Sequence, residues 1–176
     1  LFRSIDRIEG WLKRQPRIWA MLNARAERRM GNENASTADE LGHRPASSRR
    51  LALVVGFGPV GRTVDRLLQD AGLSTVVIDM NLDTVAEIRR QERHAIYGDA
   101  SREAILESAG IATASHLVLT LPQATHRVAI VAAARHLNPK IKIFVRARYL
   151  REREELEQVG ATAAIFEEAE AAVALA

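Results

Sequence analysis

At 176 residues the chain is long enough for one domain and a short appendage. It contains no cysteine, which excludes disulfides, thiolate zinc sites and cysteine nucleophiles. The net charge is only +3, and no apolar run reaches the roughly 18 residues that a membrane span requires, so the chain itself is expected to be soluble.

Residues 1–30 form the basic end of the sequence and contain both of its tryptophans. Apolar residues recur there at helical spacing, namely Leu1, Ile5, Ile8 and Leu12. The pattern predicts an amphipathic helical segment, either juxtamembrane and at the membrane surface or packed on its own domain or a partner. Because the basic residues cluster here, without a helix-turn-helix or a basic stripe elsewhere, we do not expect nucleic acid as a partner.

Residues 31–50 show no apolar periodicity and have the composition of a flexible tether. We therefore predict a linker over 31–50 and a separate domain over 51–176.

From residue 51 the sequence alternates between strand and helix patterns. The predicted strands lie near 51–55, 74–79, 94–97, 116–120, 141–145 and 163–166, and the predicted helices near 60–71, 82–91, 102–109, 123–137, 149–159 and from 167 onward. This alternation is typical of an α/β fold, and it predicts a Rossmann-like, doubly wound, parallel six-stranded sheet in the order 3-2-1-4-5-6.

A glycine motif follows the first strand: Gly56, Phe57, Gly58, Pro59, Val60 and Gly61. In a dinucleotide-binding turn the first glycine makes the tight turn, the second admits a pyrophosphate, and the third allows close packing of helix and strand. The phosphate would lie at the positive end of the helix dipole. The alternative is a purely conformational role for the glycines.

Asp79 ends the second strand, 18 residues beyond Gly61, where such a fold places the carboxylate that binds a ribose diol. Met80 and Asn81 follow it without a nearby Arg or Lys, which favours NAD(H), AMP, ADP or ATP over NADP. The alternative for Asp79 is a turn or helix-cap residue.

Three further residues should reach the same crevice. Asp99, followed by Ala100, could accept a hydrogen bond from the adenine amine, or it could be a helix cap or Asx turn. Thr120 could contact a phosphate or the far ribose, or it could belong to a plain turn. Arg146 and Arg148, at the end of the fifth strand, could bind an anionic effector or form a salt bridge.

Catalytic signals are missing from the sequence. Only about ten residues follow the sixth strand, which leaves no room for the substrate domain of a dehydrogenase. His116, His126 and His136 are scattered and show no carboxylate at helical spacing. We therefore expect no enzymatic activity, with a small NAD-dependent oxidoreductase as the remote alternative.

The ordered set of motifs resembles the TrkA-N domain, also called the RCK N-terminal domain, which regulates bacterial potassium channels and transporters. The motifs are the glycine turn, Val76–Asp79, Tyr97–Ala100, Ala109–Ile111, Leu137–Pro139 and Val145–Arg148. The segment Arg146–Arg148 is similar to that of Kef-type potassium-efflux and monovalent cation:proton antiporters.

The resemblance implies a homodimeric nucleotide sensor at the cytoplasmic face of the bacterial inner membrane. It would gate a transmembrane antiporter or channel domain of the same polypeptide; the alternative is a stand-alone peripheral subunit of a potassium uptake system. The positions that match the family's nucleotide contacts are Gly56, Gly58, Gly61, Asp79 and Asp99.

Two positions depart from the family pattern. Pro59 replaces a frequent arginine and removes a charge that could reach phosphates, and the loop Leu121–His126 lacks the usual acidic residue followed by Asn. Kef systems also bind a glutathione-type ligand, through arginines that include one in the segment matching Arg146–Arg148.

Overall fold

A computed structural model of the chain describes residues 31–41, 50–121, 126–147 and 150–166. The predicted helices over residues 1–30 and from 167 onward lie outside these ranges, as does Arg148. The strands are Leu51–Val55 (β1), Ser74–Asp79 (β2), Ala95–Tyr97 (β3), His116–Leu119 (β4), Lys142–Ala147 (β5) and Ala163–Phe166 (β6). The helices that alternate with them are Pro59–Asp70 (α1), Leu82–Arg90 (α2), Glu103–Ser108 (α3), Arg127–Leu137 (α4) and Leu150–Val159 (α5).

The six strands form one parallel sheet in the order β3-β2-β1-β4-β5-β6. This confirms the predicted α/β fold and strand order. The order reverses between β1 and β4, so the connections after these strands leave toward opposite faces and open a crevice at the carboxyl ends of the strands.

The core lies on both faces of the sheet because β1, at its centre, is covered by helices on each side. All five residues of β1 are buried. The larger apolar cluster includes Leu53, Leu117 and Ile143, and a smaller one on the α2 side contains Val77, Val85, Ile88 and Ala95.

Residues 31–41 are helical, which differs from the predicted linker over 31–50. The chain divides into two compact units, Leu1–Glu33 and Asn34–Ala176, so residues 34–41 belong with the sheet domain. Asn34, Thr37 and Leu41 are buried there. The sequence prediction missed this segment because its three buried residues comprise one apolar and two polar side chains, which give no amphipathic signal.

Within the described ranges, no helix is both long enough and apolar enough to cross a bilayer.

Gly61 sets the distance between α1 and β1. A Cβ atom at Gly61 would lie 2.1 Å from the carbonyl oxygen of Gly56, closer than any side chain permits, whereas one at Gly58 would meet nothing within 4 Å. Glycine at position 61 is therefore required by packing within the domain, and glycine at position 58 is not.

We predict that Gly61→Ala lowers the free energy of unfolding by about 3 kcal/mol or more, because α1 must move away from β1. Gly58→Ala is the matched control and should change stability by less than about 1 kcal/mol. Urea denaturation of both variants measures the difference. Equal stability of the two variants would contradict the assigned role of Gly61.

Candidate functional site

The glycine turn directs the start of α1 at the crevice. Gly56 has a φ of +90°, a left-handed conformation that favours glycine, and its N–H donates to the Ile78 carbonyl at 2.9 Å. Three residues after Gly56, Pro59 begins α1, where the lack of an N–H is harmless to the helix. The turn is therefore hydrogen-bonded to the end of β2, and the N-terminal end of α1 lies at the carboxyl edge of the sheet.

The side chain of Thr120 stabilises this turn through hydrogen bonds to its backbone. Its side chain is buried, and its hydroxyl is within 3.1 Å of the Val55 carbonyl and 2.9 Å of the Gly56 carbonyl, to which it donates. A hydroxyl has one hydrogen, so these carbonyls compete with any phosphate for it. The structure thus places Thr120 as a structural support of the turn.

Gly58 faces open space at the N-terminal end of α1. Its φ of −67° and ψ of −170° are accessible to any residue, so conformation does not demand glycine there. What the missing side chain provides is room for a ligand at the positive end of the helix.

The carboxylate of Asp79 accepts hydrogen bonds from two backbone segments, one after β1 and one after β2. Its Oδ2 accepts the N–H of Phe57 at 2.7 Å, and its Oδ1 accepts the N–H of Asn81 at 2.7 Å. The carboxylate therefore holds the glycine turn against the end of β2, in agreement with the turn interpretation. Each carboxylate oxygen can still accept a second hydrogen bond, so ribose binding is compatible with this role.

The side chain of Asn81 caps α2. Its Oδ1 accepts the N–H of Thr84 at 3.1 Å, which satisfies one of the free donors of the first helical turn. This explains Asn81 by local structure and leaves its predicted contact with a nucleotide a prediction.

A cavity of about 270 Å³ lies at the carboxyl edge of the sheet. It brings together four residues predicted from the sequence: Asp79, Met80, Asp99 and Ala100. The remaining lining residues are Val55, Ile78, Gly98, Leu121, His126 and Ile130. The cavity thus has a largely apolar interior and two carboxylates, an arrangement that suits a flat apolar ring bearing amino and hydroxyl groups.

Asp99 forms the Asx turn that was the alternative interpretation of this residue. Its Oδ1 accepts the N–H of Ser101 at 2.9 Å. This hydrogen bond lowers the pKa of Asp99 below its ordinary value, more than burial raises it, and the charges of His126 and Arg102 act in the same direction. The carboxylate is therefore a stable acceptor at neutral pH.

The sequence prediction missed His126. This residue immediately precedes α4 and lines the cavity with Asp99. The signal that could have found it is topological: a helix that follows a parallel strand begins at the same sheet edge as the ligand crevice.

The Phe57 side chain lies outside this cavity. It lines a neighbouring groove of about 320 Å³ together with residues of α1 and α2. The guanidinium carbons of Arg62 and Arg93 lie 5.7 and 6.0 Å from the centre of its ring. Phe57 is therefore linked to the candidate site through its backbone N–H, which donates to Asp79.

Residues 52–167 match the TrkA-N domain family. The chain is 36% identical over 121 residues to the putative cation/proton antiporter YbaL of Escherichia coli, and 30% identical over 130 residues to the glutathione-regulated potassium-efflux system protein KefC of Cronobacter sakazakii. These matches cover 69% and 74% of this chain but 22% and 20% of the relatives. The chain therefore spans about a fifth of their length.

Two solved structures share the fold. The crystal structure of the TrkA-N domain of the E. coli inner membrane protein YbaL has a TM-score of 0.68 at 32% identity, over 74% of this chain and 96% of that one. The Shewanella denitrificans Kef CTD in its AMP-bound form has a TM-score of 0.63 at 28% identity, over 72% of this chain and 76% of that one.

We predict that Asp99 contributes stability that is lost in acid. Because its folded-state pKa lies below the ordinary value of 3.8, the unfolded chain takes up the proton first as the pH falls. The contribution is present above about pH 4 and disappears as the pH falls through the lowered pKa. Urea denaturation between about pH 6 and pH 2.5 should show a smaller loss of stability for Asp99→Asn than for the unaltered chain. Parallel curves for the two proteins would contradict the assignment.

Proposed function

We propose, because this chain belongs to the TrkA-N domain family, that it is the regulatory adenine-nucleotide-binding domain of a Kef-type monovalent cation:proton antiporter. The observation that carries the proposal is the conjunction of the two-carboxylate cavity with the open space at Gly58. The AMP-bound form of the related Kef domain supports the choice of ligand.

We assign each part of an adenine nucleotide to a group of the chain. The base would occupy the apolar cavity, with Asp99 accepting from its exocyclic amine. The ribose hydroxyls would donate to the unused lone pairs of Asp79. The phosphate would lie at the N-terminal end of α1, in the space that Gly58 leaves open.

The charges of the site favour AMP, ADP, ATP or NAD(H) over NADP. The cavity lining contains two carboxylates, Asp79 and Asp99, and neither lysine nor arginine. A 2′-phosphate on the ribose would therefore meet the charge of Asp79 without a cation from the cavity.

The partner that we propose is a transmembrane antiporter domain in the same polypeptide, at the cytoplasmic face of the bacterial inner membrane. Support comes from the relatives, transport proteins of which this chain matches only about a fifth. We propose a homodimer as the working form and a regulatory rather than catalytic role. Nucleotide occupancy changes gating only if the ligand has different affinities for the two gating states.

We predict that adenine nucleotides raise the thermal stability of the chain. At about 100 times its dissociation constant, a ligand adds about 2.7 kcal/mol, which is several degrees in the melting temperature. The panel is AMP, ADP, ATP, NAD and NADH, with NADP as the discriminating control. Stabilisation by NADP alone would contradict the assigned role of Asp79, and no stabilisation by any of them would contradict the proposed function.

We predict that Gly58→Val abolishes this stabilisation while lowering the stability of the unliganded domain by no more than about 2 kcal/mol, because the new side chain fills the phosphate approach and its Cβ meets no protein atom within 4 Å. Calorimetric titration with AMP measures the loss of affinity. The matched control is Gly31→Val, at another position where a side chain would meet nothing within 4 Å. Unchanged AMP affinity in Gly58→Val would remove the start of α1 from the site.

A further inference from the structure

The edge strand β3 has its outward backbone groups covered by side chains. One side of β3 pairs with β2, and the other is the free edge of the sheet. Arg89 Nε donates to the Ala95 carbonyl at 2.9 Å. The outward groups of Tyr97 are bound by Asn34, so these polar groups of the edge are satisfied without a further strand.

The Asn34 amide pairs with Tyr97 as a neighbouring strand would. Its Nδ2 donates to the Tyr97 carbonyl at 2.8 Å, and its Oδ1 accepts the Tyr97 N–H at 3.1 Å. Arg89 Nη2 donates to the same Oδ1 at 2.8 Å. Asn34 is buried, so losing any of these bonds would leave polar groups without water.

The helical segment 34–41 runs along β3 in the opposite direction. Asn34 lies at Tyr97, the end of the strand, and Glu40 lies 3.6 Å from His94, just before its start. Six residues of helix rise about 9 Å, and three residues of strand about 10 Å, so the two elements match in length. Leu41 anchors the segment in the larger apolar cluster, beside Leu51 and Gly110.

The bonded end of β3 is also the wall of the candidate nucleotide cavity. Tyr97 is in register with Asp79, and the next N–H, that of Gly98, donates to the Asp79 carbonyl at 3.1 Å. Gly98, Asp99 and Ala100 line the cavity. A single peptide bond thus separates the residue that Asn34 holds from the residues that a nucleotide would contact.

We propose that segment 34–41 is a coupling strap: its docking on β3 and nucleotide binding in the cavity stabilise each other. This inference rests on the proposed function. Asn34 fixes the end of β3, so the ligand meets an ordered Gly98–Ala100 wall; a bound ligand in turn orders that wall and strengthens the strap. Because coupling free energies are reciprocal, complete undocking of the strap must weaken nucleotide binding by the same factor by which bound nucleotide strengthens docking. The strap would carry nucleotide occupancy to the part of the chain before residue 34.

Hydrogen exchange of the full chain, with and without saturating AMP, tests the strap without any mutation. We expect AMP to slow amide exchange in residues 34–41 more than in β6, which lies at the opposite edge of the sheet. Calorimetry then compares AMP affinity among variants. Asn34→Ala should raise the dissociation constant about fivefold or more, and the control Asn32→Ala, at an exposed position, should change it by less than about twofold.

Leu41→Val covers the case in which Asn34→Ala does not fold, because it weakens the anchor and leaves Asn34 intact. Leu41→Val should speed amide hydrogen exchange in residues 34–41 and, like Asn34→Ala, should weaken AMP binding. Unchanged exchange in 34–41 on AMP addition, or unchanged affinity in folded strap variants, would overturn the coupling while leaving the nucleotide site in place. A wild-type chain that binds no nucleotide would overturn both.

Discussion

The close approach of α1 to the end of β1 is the constraint on which the rest of the site depends. With no side chain at Gly61, the helix comes within contact distance of the Gly56 carbonyl. The hydroxyl of Thr120, the residue that follows β4, donates to the same carbonyl. The turn is thereby held between β1, β4 and α1, and the free end of the helix dipole faces the crevice at a fixed place.

Asp79 extends this constraint into the cavity. It binds the turn through the Phe57 N–H and the start of the α2 connection through the Asn81 N–H, and it also forms part of the cavity wall. Its structural and ligand-binding interpretations are therefore not exclusive, because a carboxylate has enough lone pairs for both. A ligand that contacts Asp79 would act on the glycine turn after β1 and on the segment after β2, because Asp79 is hydrogen-bonded to both. Binding of a ligand would in this way change the backbone geometry of both segments.

The sequence predicted the sheet almost completely, because buried parallel strands and amphipathic helices have distinct periodicities. β1, β2 and β6 have the predicted bounds, and the predicted strand order, which followed from the alternation of strands and helices, is the observed one. The site was predictable where topology places residues at the carboxyl edge, as for Asp79 and Asp99. The Asn34 contact was not, because a side-chain amide that pairs with an edge strand 63 residues away leaves no periodic signal. The commitment of Thr120 and Asn81 to local hydrogen bonds depends on distances that spacing cannot supply.

An amide-resolved NMR titration of the ¹⁵N-labelled chain with AMP tests most directly whether the crevice at the carboxyl ends of the strands is the nucleotide site. We predict that the amides of Gly58, Asp79 and Asp99 shift along one common binding curve, because base, ribose and phosphate would span the cavity and the start of α1. Shifts confined to the groove beside Phe57, at Arg62 and Arg93, with Asp79 and Asp99 unmoved, would contradict it.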